Sequence, residues 1–153
     1  MITVTTRRGL AGLAAPLRAL VRSTLALEGA RAGEIGVVLA DDAALRELNR
    51  RWRGIDRATD VLSFPYELAE KHRSASRVVT GDLVISLDRM VGQARRHRVS
   101  RGRELARLVV HGTLHLAGHD HHRPGERKLM RAREARALRG AGGSIRALDA
   151  RLG

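Results

Sequence analysis

The pattern of apolar and polar residues in the first part of the chain alternates between helical spacing and short apolar runs. Leucines recur every three or four residues around Pro16, and this spacing predicts a helix that starts or kinks at the proline. Asp41 and Asp42 precede the next helical pattern, where a carboxylate can cap the free backbone N–H groups. The predicted elements are strands at 2–4 and 34–40 and helices at 10–27 and 41–52.

The rest of the chain continues this alternation and then becomes helical. The polar stretch from Tyr66 to Thr80 is expected to form a loop between two short strands. Ser100 is expected to cap a long helix that Gly118 ends, and glycines within 140–143 are expected to loosen the chain into a short tail. The predicted elements are strands at 61–64 and 82–86 and helices at 87–98, 100–116 and 124–138.

The order of these elements predicts the fold class. Strands and helices follow one another as β-α-β-α-β-β-α-α-α, which indicates an α+β fold with one four-stranded mixed sheet and about five helices. The 153 residues fit a single domain, 1–153, that can bury a sizeable core. Trp52, Phe64 and Tyr66 are the only aromatic residues, so aliphatic side chains must fill that core.

The net charge indicates a class of partner, and the absence of cysteine excludes several kinds of site. The net charge is +13, from 29 Lys and Arg against 16 Asp and Glu, and only Lys71 and Lys128 are lysines. Such a charge favours a polyanion such as RNA, although a preference for arginine codons and a solvated surface would give the same count. The absence of cysteine excludes disulfides, thiolate metal sites and cysteine nucleophiles. Neither a signal peptide nor a membrane-spanning run is expected, which favours a cytoplasmic protein.

The strongest chemical signal is a histidine cluster, since five of the seven histidines lie within 111–122. His111 and His115 are four residues apart on a predicted helix, so both rings project from one face. Gly118 can adopt the left-handed backbone that ends the helix, and His121 follows three residues later. This H-x-x-x-H-x-x-G-x-x-H spacing is that of the metzincin hydrolases. Three imidazoles leave a fourth position for water, which predicts a catalytic zinc site, one ion per chain, at the end of a helix.

Other residues of the cluster leave alternatives open. His119 and His122 are expected to be exposed or to support the ligands, and Asp120 could accept the second N–H of a ligand histidine or simply hold the loop. Nickel, copper or iron could bind the same nitrogen ligands as zinc. Metzincins carry a glutamate directly after the first histidine as general base, and here Gly112 occupies that place. This difference disfavours a peptidase, whereas an RNA phosphodiesterase can use a metal-activated hydroxide or the substrate's own 2′-hydroxyl.

A second motif precedes the histidines at 48–65. Its polar turn holds Arg53 beside Gly54, where a guanidinium could either reach a phosphate or remain solvated. Together the two motifs resemble the YbeY family of bacterial metal-dependent endoribonucleases. The segment 111–121 is similar to that family's H-G-x-L-H-L-x-G-Y-D-H, and 48–65 is similar to its L-N-x-x-Y-R-x-x-D-x-x-T-D-V-L-S-F-P. Gly81–Ser86 is similar to its G-D-I-x-I strand.

The resemblance implies both an activity and the residues that carry it. It implies one zinc ion on His111, His115 and His121. It implies that Arg53, which matches the family's functional arginine, acts in catalysis. The expected function is single-strand-specific cleavage of RNA in 16S rRNA 3′-end maturation and ribosome quality control. The expected partners are therefore single-stranded RNA, 16S rRNA and the small ribosomal subunit.

The sequence differs from the family's motifs at two positions, and two alternative functions stay open. His119 and Trp52 replace tyrosines of the family's motifs. Both keep a flat ring, although His119 could compete for the metal. One rival is a metallohydrolase of another substrate, such as a peptide. The other is a non-catalytic, zinc-containing ribosome-assembly factor, and only a nuclease would lose turnover while keeping RNA binding when Arg53 is neutralised.

Overall fold

The computed structural model describes residues 1–66, 77–119 and 123–153, and these residues form one four-stranded sheet and six α-helices. The strands are β1 (Ile2–Thr5), β2 (Ala30–Ala40), β3 (Val61–Pro65) and β4 (Arg77–Ser86). The helices are α1 (Ala14–Leu27), which follows a 3-10 turn (Ala11–Leu13), then α2 (Asp42–Arg53), α3 (Leu87–His97), α4 (Arg101–Leu116), α5 (Pro124–Arg139) and α6 (Gly142–Leu152). None of the helices in these three ranges is long and apolar enough to cross a membrane.

The sheet is mixed, with the strand order β1-β2-β4-β3. β1 and β4 both pair in parallel with β2, whereas β3 pairs antiparallel with β4 and lies at an edge. The register places Val61 opposite Ile85 and Ser63 opposite Leu83. This arrangement confirms the predicted α+β class with a four-stranded mixed sheet.

The core lies on both faces of this sheet. On one face, Leu83 of β4 and Leu108 of α4 are both fully buried within the larger cluster of apolar side chains. On the other face, Leu45 of α2 packs with Leu62 and Val84 in a smaller cluster. Aliphatic side chains dominate both clusters, as the shortage of aromatic residues required. The helix that carries the histidines is therefore held firmly against the sheet.

Two helices begin at the capping residues that the sequence predicted. The Asp41 carboxylate accepts a hydrogen bond from the Ala44 N–H at 2.8 Å and caps α2. The Ser100 hydroxyl accepts from the Arg103 N–H at 3.1 Å and caps α4. Pro16 lies in the first turn of α1, where its missing N–H would have no partner within the helix.

The two central strands are longer than predicted. β2 begins at Ala30 instead of Glu34, and β4 begins at Arg77 inside the stretch that was predicted to be a loop. The extra residues pair with each other, with Ala30 opposite Arg77 and Ala32 opposite Val79. Pairing between two strands far apart in sequence produces this extension, and no local pattern of apolar residues marks it.

The predicted loose tail is wrong, because residues 142–152 form the sixth helix, α6. Leu148 is fully buried in the core, and the Asp149 carboxylate accepts from the Gly102 N–H at 2.6 Å at the start of α4. Glycines at the start of α6 disfavour a helix locally by roughly 1 kcal/mol each. Packing against α4 overrides that preference, as is usual for short helices.

Candidate functional site

His111 and His115 lie on successive turns of α4, and their rings approach each other. The two Nε2 atoms are 3.1 Å apart, and the ring centroids are 4.7 Å apart. Nitrogen ligands at roughly 2.0–2.1 Å from a tetrahedral zinc ion lie about 3.3 Å from each other. Two donor nitrogens that converge at this separation therefore fit one bound metal ion.

Glu134 of α5 contacts the other nitrogen of His111. Its Oε1 accepts a hydrogen bond from His111 Nδ1. The Glu134 side chain is 14% exposed and the His111 side chain is 24% exposed. A carboxylate on Nδ1 fixes the proton there, so that Nε2 is the atom that can bind a metal. Glu134 could not be predicted from the sequence, because it lies 23 residues from His111 on another helix and no spacing rule links the two positions.

His119 follows the end of α4 and is engaged by a second carboxylate, that of Glu28. Its Nε2 hydrogen-bonds Glu28 Oε1, and the Glu28 side chain is only 5% exposed. The other oxygen of Glu28 accepts from Arg133 Nη1 at 3.2 Å. These three residues join the ends of α1 and α4 to α5. The contact supports a structural role for His119, which holds the chain where it leaves α4. Glu28 and Arg133 were not found from the sequence.

The chain leaves α4 through the glycine turn that the sequence predicted. Gly118 has a positive φ of 102°. Its N–H donates to His115 O at 3.0 Å and the His119 N–H donates to Leu114 O at 3.0 Å, which are the two hydrogen bonds of a Schellman motif. This turn confirms the prediction that Gly118 ends α4.

That ligand, His121, lies outside the described residues, as do Asp120 and His122. Within 1–66, 77–119 and 123–153, no three histidine, aspartate or glutamate side chains form a group that could hold a metal ion. His111 and His115 are therefore the part of the predicted ligand set that the structure brings together.

Gly112 lies where α4 packs closely against the sheet. A Cβ atom there would be 2.9 Å from Leu83 Cδ2, 3.2 Å from Val61 Cγ2 and 3.3 Å from Ser63 Oγ. The Ser63 hydroxyl also donates to the Gly112 carbonyl at 3.1 Å. A side chain at this position would point into the sheet, so the helix has no room for a glutamate directly after His111.

Arg53 ends α2 immediately before the left-handed Gly54, whose φ is 70°. Its Nη2 donates to the Ser63 carbonyl at 3.3 Å, which connects the end of α2 to the edge strand β3. Arg53, His111 and His115 all line one cleft of about 1230 Å³. The structure therefore brings the predicted catalytic arginine and two of the predicted metal ligands to the same cavity.

The cleft carries an excess of positive charge. Arg46 pairs with Asp56 at 2.7 Å, and Arg89 pairs with Asp42 at 3.2 Å. The hydrogen bond from Arg46, together with its charge, holds the pKa of Asp56 below its usual value. Four further arginines of the lining have no carboxylate partner among the residues that the structure describes: Arg53, Arg57, Arg127 and Arg131. Unpaired guanidinium groups in a cleft attract and bind phosphates.

The sequence of the chain matches a known protein family. The sequence model of the family "Endoribonuclease YbeY" matches residues 10–142, which is most of the chain. The chain belongs to this family. The resemblance inferred from the two motifs is thereby confirmed, and the family is named for endoribonuclease activity.

Individual relatives agree with the family assignment. A protein named Endoribonuclease YbeY from Anaeromyxobacter sp. is 45% identical over 126 residues, which cover 82% of this chain and 64% of that protein. One from Moorella thermoacetica is 41% identical over 137 residues, which cover 85% of this chain and 87% of that protein. The chain thus spans less than two thirds of the first relative and most of the second.

A solved structure agrees as well. The solution structure of TM1509 from Thermotoga maritima superimposes with a TM-score of 0.61 at 26% identity, covering 96% of this chain and 93% of the other. The likeness therefore extends over nearly the whole length of both chains.

Proposed function

We propose that this chain is a metal-dependent endoribonuclease that cuts single-stranded RNA, with residues 1–153 acting as one metallohydrolase domain. Membership of the family supports the activity on RNA. The observation that carries the proposal is the convergence of the His111 and His115 Nε2 atoms, 3.1 Å apart, in a cleft lined by arginines. A pair of imidazoles suits a metal, and the surrounding guanidinium groups suit a phosphodiester.

The proposed metal is one zinc ion on His111, His115 and His121. A bound zinc ion would supply Lewis acidity at the scissile phosphate and at an attacking water. The chain's own contribution begins with Glu134, which keeps the Nδ1 proton of His111 in place so that Nε2 presents its lone pair. His119 would support the site through its contact with Glu28, and Asp120 would support it by orienting a ligand.

Arg53 is the proposed catalytic residue. One donor of its guanidinium is used by the Ser63 carbonyl, and the remaining donors can bind the oxygens of a phosphate. Negative charge builds up on those oxygens as the nucleophile forms its bond to phosphorus, and it moves to the leaving oxygen as the old P–O bond breaks. A fixed cation in the cleft stabilises that charge more in the transition state than in the bound substrate, and this difference accelerates the reaction.

The packing of Gly112 favours RNA over a peptide as the substrate. A zinc peptidase of the metzincin type needs a glutamate directly after the first histidine, and that position points into the sheet here. For RNA, either a metal-activated hydroxide or the substrate's own 2′-hydroxyl can supply the nucleophile, so cleavage depends less on a protein base. Within this proposal, the substrate in the cell is 16S rRNA during 3′-end maturation and quality control of the small ribosomal subunit in the cytoplasm.

One preparation, divided between elemental analysis and an RNA cleavage assay, tests this function. We expect about one zinc ion per chain and cleavage of a labelled single strand but not of its duplex. His115→Ala should lose most of the zinc and the cleavage together. His97→Ala serves as the matched control, because His97 lies at the end of α3 and does not line the cleft.

Four outcomes would count against the proposal. Full zinc content in His115→Ala would reject the ligand assignment. RNA binding without cleavage by the zinc-loaded wild type would favour the non-catalytic assembly factor. Cleavage of a peptide but not of RNA would favour the other metallohydrolase. Equal cleavage by wild type and His115→Ala, purified side by side, would identify a contaminating ribonuclease as the source of activity.

A further inference from the structure

Trp52 is the chain's one tryptophan, and it lies exposed at the end of α2 with 66% of its surface accessible. A packed tryptophan typically buries roughly 150–250 Å² of surface, so leaving the ring in water forgoes a large apolar contribution to stability. Leu45, two turns earlier on the same helix, is fully buried. The fold therefore does not use the indole in its core, although the chain has few aromatic residues.

A cation lies beside this exposed ring. Arg51 Cζ is 5.9 Å from the centroid of the Trp52 ring, within the range of a cation–π contact. Arg51 has no carboxylate partner within the described part of the chain. An aromatic face next to an arginine is the combination by which proteins bind unpaired nucleotides, with the base on the ring and the phosphate on the cation.

Trp52 does not line the cleft itself, but it adjoins a residue that does. It directly precedes Arg53, whose guanidinium contacts the Ser63 carbonyl and lines the cleft. Consecutive helical residues diverge by about 100° around the axis, so the two side chains leave the end of the helix in different directions. The base and the phosphate of a nucleotide also point apart. A strand that crosses the end of α2 could therefore engage both side chains together.

We propose that Trp52 is a stacking site for one unpaired nucleobase of the RNA strand whose phosphate binds Arg53. The proposal rests on the proposed function and adds a determinant of strand selectivity to it. In a duplex, each base is already stacked and paired, so its face is not available to the indole. A single strand can turn one base out onto the ring, and every base has a π-face, so the contact would be tolerant of sequence.

The single tryptophan makes the test direct, because fluorescence excited beyond the absorption of Tyr66 reports only this site. A single-stranded 2′-O-methyl RNA, which lacks the hydroxyl nucleophile, should quench the fluorescence, and the matching duplex should not. Trp52→Leu, which keeps an apolar group but loses the ring, should bind the single strand about tenfold more weakly. Trp52→Tyr should stay near wild type.

Leu129 supplies the matched control. It is an exposed apolar residue of α5, 44% accessible, and it does not line the cleft. Leu129→Ala should leave RNA affinity unchanged. Leu129→Trp combined with Trp52→Phe moves the fluorophore to this second exposed site, where the single strand should quench it little.

The other outcomes separate failure of the stacking site from failure of the proposed function. If the wild type binds and cuts RNA but its fluorescence does not change, and Trp52→Leu binds equally well, the stacking site is rejected and the proposed function stands. If the wild type neither binds nor cuts RNA, both are rejected. If Trp52→Leu abolishes self-association in sedimentation while RNA affinity is unchanged, the ring is instead a contact between copies of this chain, and the stacking proposal is overturned.

Discussion

Glu134 on α5 accepts a hydrogen bond from His111 on α4, and this contact orients a residue proposed to bind the metal. The imidazole has two nitrogens, and the carboxylate settles which of them carries the proton. His111 Nε2 then faces His115 Nε2 at 3.1 Å. The geometry of the candidate metal centre therefore depends on the packing of α5 against α4 as well as on the spacing of the histidines.

Replacing Glu134 by Gln should weaken zinc binding about tenfold, at the lower end of the usual effect for a partner of a metal-binding histidine. The amide keeps the shape of the side chain but loses the negative charge that fixes the His111 proton. Competition with a chromophoric chelator measures the affinity. Glu126→Gln, on the first turn of the same helix, is the control and should bind zinc like the wild type. Equal affinities for all three proteins would remove Glu134 from the site.

Replacing Gly112 by Ala should destabilise the fold by about 1–3 kcal/mol. The added methyl group would lie 2.9 Å from Leu83 Cδ2, which is too close for carbon atoms in contact. Gly92→Ala on α3 is the control, because a Cβ there meets nothing within 4 Å, and this change should raise stability by up to about 1 kcal/mol. Denaturant unfolding of both variants measures the difference. Equal free energies of unfolding would show that α4 does not pack this closely on the sheet.

Replacing Glu28 by Ala should lower the free energy of unfolding by about 1–3 kcal/mol, since His119 and Arg133 lose a buried acceptor. Its zinc content should remain near one ion per chain. His119→Ala should behave in the same way, because the His119 Nε2 is used by Glu28. Thermal unfolding and elemental analysis of both variants provide the measurements. Zinc loss in His119→Ala but not in Glu28→Ala would instead make His119 a ligand.

The affinity for single-stranded RNA should fall steeply as salt concentration rises, because each bound phosphate releases counterions. Arg127→Gln and Arg131→Gln, both in the lining of the cleft, should each reduce the slope of log affinity against log salt by about one or less. Arg22→Gln on α1, exposed and away from the cleft, should leave the slope unchanged. A slope equal in all four proteins would place the RNA elsewhere on the surface.

The parts of the site that the sequence predicted are those set by local geometry. The spacing of His111 and His115 on one helix determines their common face, and Gly118 determines the turn that follows. Glu134 and Glu28 reach the histidines across helix packing, which no spacing in the sequence reveals. The helix α6 was not predicted because its packing against α4, which no local sequence pattern reveals, stabilises it. The role expected of Arg53 came from the resemblance to the family, because an arginine-rich chain offers no local signal that distinguishes one arginine.

The most direct test of the central claim is the single-turnover rate of RNA cleavage by Arg53→Ala. The variant should keep its fold, its zinc and most of its RNA affinity, because Arg53 is exposed and its hydrogen bond to the Ser63 carbonyl is one contact among many. Loss of a donor that stabilises transition-state charge should slow cleavage roughly a hundredfold. Arg53→Lys, which keeps the charge but not the planar fork, should recover only part of that rate. A wild-type cleavage rate in folded, zinc-loaded Arg53→Ala would contradict the catalytic role of this cleft arginine.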